Sequence, residues 1–274
     1  MYTYPMTIIR SFLKLAGQYP YGSLTGKFWL LQYLFLFACP RFFFRKMSIV
    51  PLVKREYKLA SDEEFRSRYY LSRAGFTELW NTKERKTQAD VESFYNEHDK
   101  DIWRQAYLSR EAYNYKKKIL RTYHIIAQEH LAANDPILDY GGGAGVLVHY
   151  LAVQGFRAVD IADIPSKTLD FVRRQMPELR NAISVDGSED FGVNQYAVIT
   201  TLDCLEHTFE PLVIIKKLLT ALRPGGLLVI NFPKETDFSN AHIPEAQAQR
   251  DDVFAFIHTH CSVITPQLVY RKRA

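Results

Sequence analysis

Residues 137–145 read Ile-Leu-Asp-Tyr-Gly-Gly-Gly-Ala-Gly, a short apolar run followed at once by a glycine-rich turn. The next six residues, 146–151, read Val-Leu-Val-His-Tyr-Leu and open an apolar segment of helical length. A glycine-rich turn between a strand and a helix lets a ligand approach the backbone closely at the positive end of the helix. This stretch therefore predicts a strand–turn–helix unit that binds a ligand at the turn.

Short apolar runs alternate with helical segments along the chain after Pro136. Further strands are expected at residues 157–163, 182–186, 196–202 and 227–231. Alternation of this kind is typical of βαβ units built around a parallel sheet. The sequence therefore predicts an α/β fold over residues 135–274.

The spacing of the glycines separates two classes of ligand. A dinucleotide fingerprint has the form G-x-G-x-x-G, and Val146 occupies the place of its third glycine. This disfavours a nicotinamide-dependent oxidoreductase. The glycines Gly141, Gly143 and Gly145 instead follow the spacing G-x-G-x-G after a strand that contains Asp139. That pattern resembles motif I of the class I S-adenosylmethionine (SAM)-dependent methyltransferases.

Two later motifs agree with this resemblance. Leu-Glu-His at residues 205–207 resembles a loop of the ubiquinone-biosynthesis-like branch of small-molecule methyltransferases, and Leu-Arg-Pro-Gly-Gly at 222–226 is similar to the family's turn before strand five. The resemblance covers residues 136–232 and implies a Rossmann-like, seven-stranded, mostly parallel sheet. Its antiparallel last strands are expected near residues 262–264 and 268–270, after a helix around 244–258.

The resemblance also implies that SAM is the cofactor and that an acid after strand two binds its ribose hydroxyls. Asp160 and Asp163 compete for this role, and Asp163 is preferred because a helix start follows it directly. Either acid could instead be a surface carboxylate, and the adenine loop expected at Asp186 and Gly187 could be a plain turn. The expected cofactor-binding residues are Asp139, Tyr140, Gly141, Gly143, Gly145, Asp163, Ile164, Asp186, Gly187 and Leu202.

His207 is the candidate general base, because the resemblance places the loop after strand four beside the methyl-transfer site. A hydroxyl nucleophile needs such a base within hydrogen-bond reach. Alternatively, His207 and Glu206 only shape the loop. Tyr95 and His98, in a polar stretch with aromatic residues, are expected to belong to a lid over cofactor and substrate. No metal site is expected.

The N-terminal region differs from the rest of the chain in charge. Residues 1–60 carry nine Lys and Arg against one acid, a net charge of +8, so the remaining residues sum to −3 of the overall +5. Residues 28–44 are strongly apolar, but Pro40 and Arg41 interrupt them, and a membrane-spanning helix needs about 20 apolar residues. The segment is expected either to lie in a membrane interface or to pack on the main domain or on a second copy.

These features predict three regions in a chain of 274 residues. They are a basic, amphipathic and apolar N-terminal segment over residues 1–60, a helical lid or substrate region over 61–134, and the SAM-binding domain over 135–274. A capping-box spacing at Ser61 and Glu64 predicts a helix over about 62–74. A second helix is expected from Ser109 to about Ala132, with the lysines 116–118 on its solvated face.

The expected function is methyl transfer from SAM to a hydroxyl, amine or carbon of a small-molecule acceptor that could be lipid-linked. The expected location is cytoplasmic, with peripheral contact of residues 1–50 at the inner face of a membrane as an open alternative. A nucleic-acid acceptor is disfavoured, because the basic residues are interleaved with apolar ones and no RNA module is visible. A catalytically silent SAM-binding partner subunit and a homodimer both stay open.

Overall fold

The computed structural model describes residues 46–73, 82, 86–97, 99–186, 189–234 and 242–274. The chain divides into two compact units, residues 1–45 and 46–274. The first unit lies outside the described residues, and so does most of the segment predicted to contact a membrane. The second unit begins with buried residues that include Met47 and Ile49, whereas the sequence places the end of the N-terminal segment at residue 60.

Helices precede the sheet along the second unit. They are α1 (Val50–Glu56), α2 (Asp62–Arg73), α3 (Gln88–Glu97), α4 (Lys100–Glu111) and α5 (Tyr113–Ala127). The capping box predicted for α2 is present: Ser61 Oγ accepts the N–H of Glu64 at 3.0 Å, and Glu64 Oε2 accepts the N–H of Ala60 at 2.9 Å. Among the described residues, no helix is both long enough and apolar enough to cross a membrane.

The helix predicted from Ser109 to Ala132 is wrong in its bounds. Ser109 belongs to α4, and Ala112 interrupts the helical backbone with φ −88° and ψ 110° before α5 begins. The apolar spacing alone could not locate this break, because it continues in phase across Ala112.

The rest of the unit alternates strands and helices. The elements are β1 (Ile137–Tyr140), α6 (Val146–Val153), β2 (Val159–Asp163), α7 (Lys167–Gln175), β3 (Asn181–Ser184), β4 (Tyr196–Leu202), a 3-10 turn (Leu205–His207), α8 (Pro211–Ala221), β5 (Leu222–Asn231), α9 (Pro244–Ala248), α10 (Arg250–His260), β6 (Cys261–Thr265) and β7 (Val269–Lys272). The described strands form one seven-stranded sheet in the order β3-β2-β1-β4-β5-β7-β6. The predicted α/β, Rossmann-like class is confirmed.

The first five strands are parallel, and the last two are antiparallel, as predicted. The strand order reverses between β1 and β4, which pair directly. In open α/β sheets, ligands bind outside the carboxyl ends of the strands at such a reversal. The fold therefore places a site at the loops that follow β1, β2 and β4.

Several strand bounds differ from prediction by one or two residues, and the start of β5 differs by five. β3 ends at Ser184 instead of residue 186, and β5 begins at Leu222 instead of 227. The pairing between β4 and β5 shifts register between Tyr196–Leu222 and Val198–Leu227. The predicted turn at 222–226 therefore lies within the first half of β5, as a bulge-like irregularity in its pairing with β4.

Candidate functional site

The backbone conformation of the loop after β1 explains why glycines recur in it. Gly141, Gly143 and Gly145 have φ values of +72°, +55° and +76°. These values lie in the left-handed region, which residues with a Cβ adopt at a cost of roughly 1–2 kcal/mol. The alternating glycines thus build the turn from which α6 starts.

Side chains from two other elements press against this loop. A Cβ at Gly141 would stand 2.2 Å from Cys204 Sγ, and a Cβ at Gly143 would stand 2.1 Å from Gln105 Nε2. Gln105, on α4, also accepts the N–H of Ala144 at 2.9 Å through Oε1. The sequence predicts that a ligand lies close to the backbone of these glycines. In the structure the side chains of Cys204 and Gln105 lie there. Sequence reasoning did not identify Gln105, which carries no motif signal.

Asp163 lies at the end of β2 and holds the glycine loop. Its two carboxylate oxygens accept the N–H of Gly143 at 2.6 Å and the N–H of Ile164 at 2.8 Å. Burial raises the pKa of Asp163 to about 6, although these two backbone donors oppose the shift. A carboxylate has about four lone-pair sites, so two acceptor positions are left for ligand hydroxyls.

Asp160 has a different role from Asp163. It is fully buried, and its carboxylate accepts hydrogen bonds from Arg180, Asn181 and the Tyr196 hydroxyl. These contacts join β2 to β3 and β4 inside the fold. Of the two competing acids, Asp163 is the one that contacts the glycine loop.

Asp139, in β1, is a second acid close to the loop. It is 4% exposed, and Thr200 donates a hydrogen bond of 2.5 Å to its Oδ1. Burial raises the pKa of Asp139 to about 7, the Thr200 hydrogen bond opposes this, and the charge of Asp163 adds to it. A Cβ at Gly142 would stand 2.8 Å from Asp139 Oδ2, so this carboxylate supports the loop from below.

A cleft of about 430 Å³ opens beside the loop at the carboxyl ends of the strands. This volume lies within the range of small-molecule sites, roughly 300–1,000 Å³. The predicted residues on its wall are Tyr140, Gly141, Asp163, Ile164 and Asp186. Gly143 does not line the cleft but donates a hydrogen bond to Asp163, which does. Gly187 lies outside the described residues. Asp139, Gly145 and Leu202 do not line the cleft.

The charge of the cleft favours a cationic ligand. Among the described residues, the acidic and basic side chains on its wall are Glu92, Asp163, Asp186, Glu189, Glu210 and Lys217. Lys217 forms an ion pair of 3.0 Å with Glu189. Clefts lined by one sign of charge concentrate ligands of the opposite sign.

The predicted lid residues fall in different places. Tyr95, on α3, packs against the core, and burial raises the pKa of its hydroxyl, with further contributions from the charges of Asp101, Asp163 and Cys204. Tyr95 therefore lies at the cofactor side of the sheet. His98 lies outside the described residues, and its assignment to the lid stays a prediction.

The loop after β4 begins with a constrained acid. Asp203 has φ +53°, and its carboxylate accepts hydrogen bonds from Lys118 and from Asn231. The expectation of a solvated face for lysines 116–118 is wrong for Lys118, which is half-buried at this ion pair. Lys116 also donates to the carbonyl of Arg110 at 2.7 Å. A charge run indicates solvent exposure only on average, and β4 supplies the partner here.

His207 follows on the same loop and meets a residue from a distant segment. The rings of His207 and His242 lie with centroids 4.9 Å apart at 60°. The buried carboxylate of Glu206 joins them, and one potential ligand atom from each of the three residues lies within 4.8 Å of the others. Sequence reasoning identified the first two residues by their motif but missed His242, which no motif marks.

The residues present fit SAM. Asp163 offers acceptor positions at the edge of the glycine loop, and the acidic wall of the cleft suits a sulfonium. Tyr140, Gly141, Asp163, Ile164 and Asp186 would hold the cofactor. When bound, SAM supplies a methyl group already activated for transfer by its positively charged sulfur.

Known proteins share parts of this chain. A family model described as "Methyltransferase domain" matches residues 107–270. A ubiquinone biosynthesis O-methyltransferase of Actinobacillus pleuropneumoniae is 35% identical over 103 residues, which cover 34% of this chain and 43% of that protein. One of Vibrio cholerae is 24% identical over 112 residues, which cover 39% and 45%. The chain therefore spans less than half the length of these curated relatives.

Solved structures resemble the chain more distantly. A protein of Methanococcus maripaludis described as SAM-dependent methyltransferase is 15% identical, with a TM-score of 0.47, and the match covers 70% of this chain and 96% of that one. An O-methyltransferase family protein of Burkholderia thailandensis is 14% identical, with a TM-score of 0.46, and the match covers 77% and 70%. The family model matches more than half of the residues, so this chain belongs to the methyltransferase domain family and has the class I SAM-dependent methyltransferase fold.

Proposed function

We propose that the protein transfers the methyl group of SAM to a hydroxyl of a small, lipid-like acceptor. The observation that carries the proposal is the bond between Asp163 and Gly143, which fixes an acceptor of ribose hydrogen bonds against the glycine loop. The acidic cleft beside it supports a cationic cofactor. The printed name of the curated relatives, ubiquinone biosynthesis O-methyltransferase, supports oxygen as the methylated atom.

The chain's contribution to this reaction is mainly positioning. The cleft wall orients the cofactor, and the loop after β4 borders the space in which the acceptor would lie. Positioning two reactants can lower a barrier by about 7–11 kcal/mol. His207 stands on this loop and is the side chain proposed to handle the acceptor's hydroxyl proton. Glu206 and His242 lie next to its ring.

The lipid-like character of the acceptor is supported by the composition of the N-terminal segment. Residues 1–45 contain five Lys and Arg, no acid and the apolar stretch 28–44. Such a segment favours an anionic membrane surface over free solution. RNA is not the proposed acceptor, because the basic residues are spread among apolar ones. A homodimer stays a prediction.

The test is a transfer assay with methyl-labelled SAM. The full chain is offered a cell extract separated into lipid, aqueous-metabolite and RNA fractions. Label in the lipid fraction, lost with Asp163→Ala and kept with the exposed control Asp170→Ala, is the expected result. Label in the aqueous or RNA fraction would overturn the lipid-like acceptor. SAM binding without transfer to any fraction would favour a silent partner subunit.

A further inference from the structure

The cluster of Glu206, His207 and His242 has the composition of a metal site. One atom from each side chain lies within 4.8 Å of the other two, and the two imidazole rings meet edge to face with centroids 4.9 Å apart at 60°. Ligand atoms bound at about 2.0–2.2 Å to one tetrahedral cation lie roughly 3.3–3.6 Å apart. The three side chains would therefore have to close by about 1 Å to bind one ion, a change within the reach of side-chain rotation.

The backbone already holds the two segments of the cluster in place. Ile243, next to His242, donates its N–H to the carbonyl of Glu206 at 2.9 Å. The N–H of His207 is donated to the carbonyl of Cys204 at 2.9 Å. The three side chains are thus brought together by main-chain contacts that do not involve their own ligand atoms.

Burial adds a reason for a cation. Glu206 is 1% exposed, and His207 and His242 are half-buried. A carboxylate removed from water is stabilised by a positive charge in direct contact. Asp203, the nearest other acid on the loop, is engaged with Lys118 and Asn231, so the donor set is two imidazoles and one carboxylate.

We propose that Glu206, His207 and His242 bind a divalent transition-metal cation beside the cofactor cleft. Two imidazoles and one carboxylate suit Zn²⁺, Mn²⁺ or Fe²⁺, whereas Mg²⁺ and Ca²⁺ prefer oxygen ligands. Three protein ligands leave coordination positions open. Cys204 and Thr208, which flank this part of the loop, line the cleft, so the proposed metal site lies next to it.

The role of this cation rests on the proposed O-methyl transfer, but its binding does not. A divalent ion lowers the pKa of a hydroxyl bound to it. An acceptor hydroxyl at an open position would release its proton to solvent water and keep the oxygen lone pair for the methyl group. His207 would then act as a ligand and not as the general base.

The test measures binding of Mn²⁺ to the untagged full chain after treatment with a chelator, without SAM or acceptor. Isothermal titration should give one site, and electron spin-echo spectroscopy should detect imidazole nitrogen on the bound Mn²⁺. His207→Ala and His242→Ala should each weaken binding at least tenfold, with Zn²⁺ competing in the wild type. His260→Ala, which removes an exposed histidine at the end of α10, should leave binding unchanged.

Two results would overturn the metal site. One is no Mn²⁺ or Zn²⁺ binding below millimolar concentration in the wild type. The other is unchanged binding in both cluster variants. If the alanine variants unfold, His207→Gln and His242→Gln replace them, with folding checked by circular dichroism. Metal binding without methyl transfer would leave the site standing and refute the proposed function instead.

Discussion

Asp163 accepts the backbone N–H of Gly143 at 2.6 Å, which ties the end of β2 to the loop after β1. The carboxylate that is expected to bind the cofactor ribose is therefore also a structural part of the glycine loop. Removing it has two effects: it takes away acceptors for the ligand, and it releases the loop that supports the ligand.

Asp163→Ala should weaken SAM binding at least tenfold, because both effects act in the same direction. Isothermal titration calorimetry on the full chain measures the affinity. Asp170→Ala is the matched control, since Asp170 is an exposed acid on the neighbouring helix α7. An unchanged affinity in Asp163→Ala would mean that another group binds the ribose.

SAM affinity should depend on pH through the same carboxylate. With a pKa of about 6, Asp163 becomes protonated as the pH falls below 6 and loses acceptor capacity. We expect a constant affinity above about pH 7 and a weakening that approaches tenfold per unit below pH 6. Asp163→Asn should bind weakly with a flat profile, whereas Asp139→Asn should keep the fall near pH 6. The same slope in all three proteins would refute the assignment.

Asp139 should make the free energy of unfolding depend on pH in the opposite direction from a typical salt-bridged acid. Its pKa of about 7 in the folded protein exceeds the ordinary 3.8, so the folded state retains a proton that the unfolded chain has lost. The free energy of unfolding should therefore fall as the pH rises from about 4 to 7. Asp139→Asn removes this fall and should be the more stable protein at pH 8, by at most roughly 4 kcal/mol.

Urea unfolding at pH 4, 6 and 8 measures this difference. The gap between wild type and Asp139→Asn should be small at pH 4, where the unfolded chain has begun to regain the proton that the folded state keeps. Asp170→Asn, an exposed acid, should show no such trend. A gap that does not change with pH would mean that Asp139 titrates near its ordinary value.

The packing of Gln105 on the glycine loop gives a test by substitution. Gly143→Ala introduces both left-handed strain, roughly 1–2 kcal/mol, and a collision with Gln105 Nε2. Gly225→Ala introduces only the strain, because φ is +74° there and no atom lies within 4 Å of the added Cβ. Gly143→Ala should therefore cost at least about 1 kcal/mol more in unfolding free energy.

A double variant separates the two causes. Gln105→Ala combined with Gly143→Ala should recover part of the difference, since the collision is gone and the strain stays. Chemical denaturation of the wild type, Gln105→Ala, Gly143→Ala and the double variant completes the double-mutant cycle. Equal losses in Gly143→Ala and Gly225→Ala would show that Gln105 moves aside without cost.

Deleting residues 1–45 should reduce co-sedimentation with anionic vesicles, because the deletion removes five positive charges and the apolar stretch 28–44. The cut belongs at residue 45 and not at 50, since Met47, Ile49 and Val50 are buried in the folded unit. Neutral vesicles are the control for charge. Equal sedimentation of the truncated and full chains would exclude this segment as the membrane contact.

The sheet and the cofactor loop could be predicted because they depend on local features. Strand–helix alternation and the glycines at 141, 143 and 145 each act within a few residues, and the observed φ values give the reason for those glycines. The end of β4 at Leu202 was also predicted correctly, since an apolar run of strand length stops there.

The rest of the site depends on contacts between distant residues. Gln105 meets the loop from α4, Lys118 meets Asp203 from α5, and His242 meets His207 from the segment before α9. No pattern in the sequence marks these pairs, because each is set by how whole elements pack. The glycine loop could be predicted from the sequence, but the contacts that other segments make with it and with the loop after β4 could not.

The hydrogen bond between Gln105 and the loop also bears on where this protein can be cut. The segment shared with the family begins at residue 107, two positions after Gln105. The part of the chain that the family model matches is thus smaller than the part that shapes the glycine loop. To transfer this module into another chain with its glycine loop intact, the transferred segment would have to begin before α4. That starting point lies outside the residues that the family model matches.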